Sequence, residues 1–267
     1  MKATKTKATK RRKEAQKGNS PLRPSAPLCG QEKASWLVHA LLDWFATAAR
    51  DLPWRRTTNA YAVWVSEIML QQTQVKTVWP FWERWMRELP TVAALAAARP
   101  ERVLKLWEGL GYYTRARNLQ RAAQLIVARP GGEFPTQFDE MLALPGIGRY
   151  TAGAIGSIAF NQPAPILDGN VMRVLTRLFA LTGNPREKET NARLWQLAEQ
   201  LVRAAAAVDF KSQISNLKFP LAGPCSALNQ ALMELGALVC TPRSPQCPRC
   251  PLAARDRKST RLNSSHG

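Results

Sequence analysis

The chain has 267 residues with 45% hydrophobic content, which is enough for one or two ordinary cores and excludes a low-hydrophobicity disordered polymer. Lys and Arg outnumber Asp and Glu by 38 to 19, and the formal net charge of +19 favours a polyanionic partner, above all nucleic acid. No apolar run approaches the roughly 20 residues that cross a bilayer and no secretion signal opens the chain, so we expect an intracellular protein with no membrane segment.

Residues 1–33 are predicted to form a disordered basic leader, because Lys, Thr, Ser and Pro dominate and apolar periodicity is almost absent. The basic cluster is compatible with DNA binding, with a nuclear or organellar address, and with a plain basic arm of a bacterial protein. The compartment therefore stays open. From Leu37 to Ala48 apolar residues recur at helical spacing, which predicts a helix that ends before Pro53.

Helical periodicity repeats along the rest of the chain, and no convincing alternating strand is present. Short connections that contain Pro and Gly separate the periodic segments. The sequence therefore predicts an all-α protein in two packed lobes, with a helical domain over residues 34–239. Residues 208–224 are less regular and are expected to be a loop or insertion. The predicted helices are 61–79, 92–98, 101–107, 118–127, 138–144, 150–160, 170–181, 192–206 and 228–239.

Polar side chains interrupt the apolar stripe of the predicted helix 61–79. In one continuous helix Glu67, Gln71 and Gln74 share a face beside an otherwise apolar surface. A carboxyl group held there has its pKa raised by desolvation, as a general acid requires. The alternative is that these residues form the solvated polar face of an amphipathic helix.

A turn with two glycines, LPGIGRY at 144–150, joins two predicted helices and forms a helix-hairpin-helix element near residues 137–160. Thr136 is the expected N-cap of the first of these helices. The glycines permit a tight reversal and leave backbone N–H groups uncovered at a helix N-terminus, which suits a DNA phosphate. The alternative is an ordinary turn between helices.

Asp168 lies in the segment LDGNV at 167–171 and directly precedes a predicted helix. Taken alone, it is best interpreted as an N-cap residue. Cleavage of an N-glycosidic bond, however, needs a proton for the leaving base and a negative charge near the cationic sugar. Two carboxyl groups in unlike environments, Glu67 and Asp168, could divide this work.

Three cysteines are spaced C-x6-C-x2-C at Cys240, Cys247 and Cys250, in a predicted loop over residues 240–255. In a chain without a secretion signal this spacing favours metal or cluster ligation over a disulfide. Zinc and an iron-sulfur centre both remain open at this point. Cys29 and Cys225 have no comparable context and are expected to be bystanders.

Together these segments resemble the MutY family of adenine DNA glycosylases, within the helix-hairpin-helix superfamily, from about residue 35 to residue 252. The resemblance implies a two-lobed helix-hairpin-helix DNA glycosylase fold with a C-terminal iron-sulfur cluster loop. It also implies hydrolytic removal of adenine mispaired with 8-oxoguanine or guanine in double-stranded DNA, in base excision repair. We expect a monomer. The segments that carry the resemblance are VSEIMLQQTQV at 65–75, GLGYYTRARNL at 109–119, the hairpin, LDGNV at 167–171 and NQALMELGA at 229–237.

The resemblance also implies a role for each site residue. Glu67 would protonate the adenine ring and later manage the water, while Asp168 would stabilise or capture the cationic sugar with help from Asn170. Gln71 and Gln72 would enter the duplex where the base has left, and Tyr112 would act as a wedge beside the opposing oxidised guanine. The remaining DNA contacts are expected from the hairpin residues Pro145, Gly146, Gly148, Arg149 and Tyr150.

Tyr150 stands where endonuclease III-like relatives carry a lysine nucleophile, so Schiff-base strand cleavage is expected to be weak or absent. Two other functions stay open. One is an endonuclease III-like pyrimidine glycosylase with lyase activity, which would require a lysine at this position. The other is a non-catalytic helix-hairpin-helix DNA-binding protein, which would not need the two carboxyl groups.

The C-terminus departs from the family pattern. The resemblance implies a 4Fe-4S cluster whose fourth cysteine follows Cys250 by six positions, and Asp256 stands there instead. With three thiolates we expect a cluster that is unstable, incomplete or partly ligated by oxygen. Residues 256–267 look like one translated frame of a sequencing-library adapter, and we hypothesise that they are an artefactual tail. We expect the family's C-terminal domain to be absent, and with it we expect reduced discrimination between 8-oxoguanine and guanine opposite the adenine.

Overall fold

The computed structural model describes residues 29–209 and 219–255, and the all-α prediction is confirmed there because no strand occurs in these ranges. None of the helices in the described part is both long and apolar enough to span a membrane. The α-helices are α1 Gln31–Ala48, α2 Ala60–Leu70, α3 Val75–Glu88, α4 Val92–Ala97, α5 Pro100–Trp107, α6 Thr114–Val127, α7 Phe138–Leu142, α8 Arg149–Phe160, α9 Gly169–Leu178, α10 Lys188–Ala206 and α11 Pro224–Leu238.

The first part of the fold corrects two predicted boundaries. The single helix expected over 61–79 is wrong, because α2 ends at Leu70 and Gln72 adopts a left-handed φ of 57° that breaks the helical ladder before α3. The basic leader does not extend to residue 33, since α1 already begins at Gln31. Residues 1–28 and 256–267, to which the leader and tail predictions refer, lie outside the described residues, as do residues 210–218 of the expected insertion.

Helix N-termini carry side-chain caps at three places that the structure describes. The side-chain oxygens of Asn59, Thr91 and Asp168 accept hydrogen bonds from the first turns of α2, α4 and α9. The predicted cap of α7 by Thr136 is wrong. Gln137 occupies the N-cap position without a side-chain bond, and the Thr136 carbonyl accepts from the Gln162 amide instead.

The first hydrophobic cluster is built by α1 with α9, α10 and α11. The apolar residues of α1 recur every three or four positions, so Leu37, Leu41 and Phe45 all face inward and are fully buried. Phe45 meets Phe219 edge to face, with ring centroids 6.1 Å apart. This packing covers the stripe that the sequence predicted for the first helix.

The second hydrophobic cluster is built mainly by α2 to α7, and tryptophans are its largest members. Trp64, Trp85 and Trp107 are fully buried, and the last two stack edge to face with centroids 5.5 Å apart. The indole N–H of Trp85 donates to the Tyr61 hydroxyl at 3.0 Å, which in turn donates to the Leu89 carbonyl at 2.7 Å. The polar side-chain atoms of Trp85 and Tyr61 are therefore satisfied inside the core, whereas the buried Nε1 atom of Trp64 has no hydrogen-bond partner in the described part of the chain.

Helix α8 contributes to both clusters and joins them. Ala154 and Ile158 belong to the first cluster, while Ala152 and Ile155 belong to the second. The same helix packs against α2 on one side and α11 on the other. Because the hairpin leads directly into α8, the hairpin is anchored in both halves of the packed structure.

Candidate active site

A cavity of about 590 Å³ opens where the two hydrophobic clusters meet. Trp54 from the second cluster and Val63 from the first cluster both form its walls. This volume is in the range of small-molecule binding sites. The cavity brings together six of the residues that the sequence singled out, which are Glu67, Gln71, Gln72, Tyr150, Asp168 and Asn170.

Glu67 lies near the end of α2 and is only 6% exposed, so the alternative of a solvated polar face is wrong for this residue. Its Oε2 atom accepts a hydrogen bond from the Tyr150 hydroxyl at 2.7 Å. Burial raises the pKa of Glu67 to about 7, against the lowering effects of the Tyr150 bond and the charge of Arg55. Both protonation states are therefore populated near neutral pH, so this carboxyl can deliver a proton and take one back.

Tyr150 is the second residue of α8, and its side chain lies in the cavity rather than on the exposed side of the hairpin. Its hydroxyl also lies 3.4 Å from the Sδ atom of Met233. Burial, helped by the nearby charges of Glu67 and Asp168, raises the pKa of Tyr150 well above its usual value. The phenol therefore stays neutral and remains a hydrogen-bond donor to Glu67.

Asp168 is the N-cap residue of α9, as predicted, and it lines the cavity at the same time. Its Oδ1 atom accepts from the Val171 backbone N–H at 2.7 Å, and its Oδ2 atom accepts from the Asn170 amide at 2.9 Å. Burial raises the pKa of Asp168, and these two hydrogen bonds oppose the rise. Capping thus fixes the orientation of the carboxyl group and does not compete with a role in chemistry.

Arg173 connects this site to the start of the cysteine loop. Its Nη2 atom donates to Asn170 Oδ1 at 2.7 Å and to the Gly236 carbonyl at 2.7 Å, and its Nε atom donates to the Cys240 carbonyl at 2.7 Å. Because the Asn170 oxygen faces a guanidinium, its NH₂ group must face the Asp168 carboxyl. The orientation of this amide is set by α9 and α11 together.

A cluster of Arg50, Arg55 and Glu234 forms another wall of the cavity, and the sequence analysis missed it. The Glu234 carboxylate, 1% exposed, pairs with Arg50 at 2.7 Å and with Arg55 at 3.0 Å. Burial by itself would raise the pKa of Glu234, but the hydrogen bonds from both arginines outweigh it and lower the pKa to about 2. One sequence signal was available, since Glu234 is the single charged residue in α11, a helix whose other residues are apolar or uncharged.

Apart from Tyr150, the predicted hairpin residues lie outside the cavity. Gly146 has a φ of 79°, which a residue with a side chain adopts rarely, whereas Gly148 is an exposed, extended N-cap residue of α8. The Arg149 guanidinium lies 3.8 Å from the centroid of the Trp195 ring. The hairpin therefore presents a helix N-terminus and a cation to solvent, and Pro145 and Gly146 line a second cavity of about 120 Å³.

Two exposed turns flank the cavity region. Gln71 follows the last residue of α2 and lines both cavities, and Gln72 is exposed with a left-handed φ of 57°. Gln74 is the N-cap residue of α3, so the predicted shared helix face with Glu67 is wrong. Tyr112 also has a left-handed φ, of 48°, and is 66% exposed. Both turns therefore project from the surface instead of continuing a helix.

The cysteine loop offers thiols of the chemical type that hold iron-sulfur clusters or zinc. Cys247 is exposed, Cys240 and Cys250 are half-buried, and the Arg177 guanidinium lies 3.3 Å from Cys240 Sγ. Within residues 29–209 and 219–255, however, no three Cys, His, Asp or Glu side chains are gathered closely enough to hold a metal ion. The donor type fits a cluster, but these residues do not form a closed ligand set, and Asp256 is outside the described residues.

The chain is similar in sequence to known DNA repair proteins. A family model described as HhH-GPD superfamily base excision DNA repair protein matches residues 65–200. The chain is 47% identical over 231 residues to an adenine DNA glycosylase of Rattus norvegicus, a match that covers 83% of this chain and 41% of that protein. The chain thus spans less than half the length of this curated relative.

Solved structures share the same fold. A thermostable thymine-DNA glycosylase matches with a TM-score of 0.72 and 27% identity, over 86% of this chain and 98% of that one. A trapped endonuclease III–DNA covalent intermediate matches with a TM-score of 0.65 and 22% identity, over 88% of this chain and 99% of that one. These likenesses confirm the expected helix-hairpin-helix glycosylase fold.

Proposed function

Since the chain belongs to the HhH-GPD superfamily of base excision DNA repair proteins, we propose that it hydrolyses the N-glycosidic bond of adenine in duplex DNA, opposite 8-oxoguanine or guanine. The 47% identity to an adenine DNA glycosylase supports the choice of base. The observation that carries the proposal is the buried, Tyr150-bonded carboxyl of Glu67 in the same cavity as Asp168.

The two carboxyl groups divide the reaction. Neutral Glu67 donates its proton to a ring nitrogen of adenine as the glycosidic bond breaks and its electron pair leaves with the base. The Asp168 carboxylate stabilises the positive charge left on the sugar. Water then adds to the sugar carbon and gives its proton to the Glu67 carboxylate, which restores the acid. Asn170 holds Asp168 in place for this step.

The arginine cluster is proposed to recognise the purine. The five hydrogen bonds from Arg50 and Arg55 already occupy the oxygens of Glu234, so the groups left for a bound base are mainly guanidinium N–H donors. Such donors suit the acceptor nitrogens of adenine. Arg50, whose side chain is 36% exposed, is the partner with room to turn toward a base.

DNA binding is proposed to use the exposed features around the cavity. The free N–H groups at the start of α8 and the Arg149 guanidinium suit phosphates. Gln71, Gln72 and Tyr112 are proposed to enter the duplex, where their contacts offset the cost of extruding a base, about a few kcal/mol. The expected monomer would complete this site by itself, since all these residues belong to one chain.

We also propose that Cys240, Cys247 and Cys250 are the thiolate ligands of a 4Fe-4S cluster, with Asp256 standing where the resemblance places a fourth cysteine. A bound cluster would hold the loop through bonds to its thiolates. Arg173 and Arg177 already donate to carbonyl groups of this loop, so they would transmit its position to α9. Iron and sulfide analysis of the purified chain tests the cluster, and a Cys247→Ser variant with unchanged iron content would contradict it.

Adenine release from a duplex with adenine opposite 8-oxoguanine tests the main proposal. Wild-type chain is expected to release adenine, while Glu67→Gln and Asp168→Asn lose at least about 100-fold, the scale of general acid catalysis. Glu101→Gln, an exposed carboxylate on α5, is the matched control. Retained activity in Glu67→Gln would refute the proposal. A borohydride-trapped adduct would instead favour the lyase, and binding without release would favour a non-catalytic protein.

A further inference from the structure

Arg115 lies in the first turn of α6, and its guanidinium is half-buried beneath the two exposed turns. Its Nη1 atom donates to the carbonyl oxygens of Ile68, Met69 and Gln71 at 2.7, 3.2 and 2.7 Å. These carbonyls stand at the C-terminus of α2, where a helix leaves its last acceptors without internal partners. One side of the guanidinium thus completes the end of the helix that carries Glu67.

The other side of the same guanidinium binds the second turn. Its Nη2 atom donates to the Leu110 carbonyl at 3.0 Å and to the Gly111 carbonyl at 3.4 Å. The charged group also lies 5.3 Å from the Trp107 ring centroid and 5.5 Å from that of Tyr112. A single side chain therefore joins the segment before Gln72 to the segment before Tyr112.

Both turns need contacts from other parts of the chain to stabilise their backbone conformations. Gln72 and Tyr112 have φ angles of 57° and 48°, a region that residues with side chains adopt rarely and at an energetic cost. Each also exposes its side chain to solvent. Backbone carbonyl groups next to both residues point at Arg115, so its hydrogen bonds act where the backbone is under strain.

In the described part of the chain, Arg115 makes no other polar contact that would explain its position. It forms no ion pair there, and its buried Nε atom has no hydrogen-bond partner within residues 29–209 and 219–255. Partial burial of a cation without a carboxylate is costly, and the contacts of Arg115 with five backbone carbonyls and two rings offset this cost. These contacts lie at the base of the two turns.

We infer that Arg115 is a positioning residue that holds the Gln71–Gln72 turn and the Tyr112 turn in one fixed relation, so that both enter the duplex together when the base is extruded. The inference rests on the proposed function, because it takes both turns to be the segments that contact DNA. It adds that base extrusion, and not the chemistry at Glu67, is the step that depends on Arg115.

A matched control exists in α3. Arg84 is also half-buried, lies 4.9 Å from the Phe81 ring centroid, and donates to the Leu106 carbonyl at 2.8 Å. It makes the same kinds of contact as Arg115, one with a backbone carbonyl and one with an aromatic ring, but it contacts neither turn in the bonds described. An effect shared by both arginines would therefore report on general stability.

The experiment measures base extrusion and base release separately in wild type, Arg115→Gln, Arg115→Lys and Arg84→Gln. Extrusion is followed by the fluorescence of 2-aminopurine placed opposite 8-oxoguanine, which rises when the base leaves the stack. Release is followed for adenine opposite 8-oxoguanine and for adenine opposite an abasic-site analogue, where no pairing partner holds the base. Thermal melting of each variant reports whether it is folded.

We expect Arg115→Gln to lose about 30-fold in release from the paired duplex and less than about 3-fold from the unpaired one, since charge-assisted hydrogen bonds contribute about tenfold or more to such equilibria. The fluorescence rise should fall in parallel. Arg115→Lys should be intermediate, because a compact ammonium cannot span both sets of carbonyls. Arg84→Gln should match wild type in both readouts.

Equal losses on both duplexes, or the same losses in Arg84→Gln, would overturn the inference. A wild-type chain that binds DNA without any rise in fluorescence would overturn it as well. A chain that extrudes 2-aminopurine but releases adenine from neither duplex would refute the proposed function alone, because the fluorescence would still report on Arg115. If Arg115→Gln does not fold, the Arg115→Lys comparison of the two duplexes decides the question.

Discussion

Replacing Tyr150 with Phe removes one hydroxyl group from the cavity and keeps the aromatic ring that packs there. The lost bond is the 2.7 Å contact to Glu67 Oε2. A hydrogen bond to the charged carboxylate lowers the pKa of Glu67, so its removal must raise that pKa above the wild-type value of about 7. A hydrogen bond to a charged group contributes about 1.5–3 kcal/mol, which corresponds to a rise in pKa of about 1 to 2.

The consequence appears in the pH dependence of catalysis. If neutral Glu67 is the acid, kcat/KM falls as pH rises through its pKa in the free enzyme, near 7 in wild type. In Tyr150→Phe this fall should move to higher pH by about 1 to 2. The maximal rate should drop as well, because the carboxyl group is no longer held in one orientation.

The assay is single-turnover adenine release across pH 5 to about 10, with the variant Tyr61→Phe as a matched control. Tyr61 is also buried and also donates from its hydroxyl, but to the Leu89 carbonyl in the second cluster. Its profile should keep the wild-type shape. A fall at unchanged or lower pH in Tyr150→Phe would refute the assignment of Glu67 as the acid.

Against the effect of burial, Arg50 and Arg55 lower the pKa of the Glu234 carboxyl from 4.5 to about 2, which corresponds to on the order of 3 kcal/mol of folding stability. This stability is present above pH 4.5 and is lost as the pH falls toward 2. Urea unfolding at several pH values would measure the loss. Gly146→Ala should lower the free energy of unfolding by about 1–3 kcal/mol, because the φ of this residue is 79° and a new Cβ would lie 2.9 Å from Asn118 Cβ. DNA affinity should fall as well. An unchanged melting temperature would argue against this backbone strain. Arg173→Gln should free the Asn170 amide and slow base release, while the fluorescence of bound 2-aminopurine stays as in wild type.

The sequence alone was sufficient for the features that depend on near neighbours. Helical spacing of apolar residues predicted most of the helices, because the period of 3.6 residues requires one face to be buried whatever covers it. The N-cap role of Asp168 and the turn at Gly146 were also local and could be predicted. The break at Gln72 could not, since a glutamine in a left-handed conformation has no sequence signal and is held there by Arg115 from another helix.

The site itself was decided by contacts between distant parts of the chain. Glu67 and Tyr150 are 83 residues apart, and Arg50 and Glu234 are 184 residues apart. The pKa of a carboxyl group depends on burial and on the charges around it, and these exist only after the helices have packed. The sequence could therefore name Glu67 as a candidate acid, whereas the packing of α2 against α8 determined that it is buried, bonded to Tyr150 and has a pKa near 7.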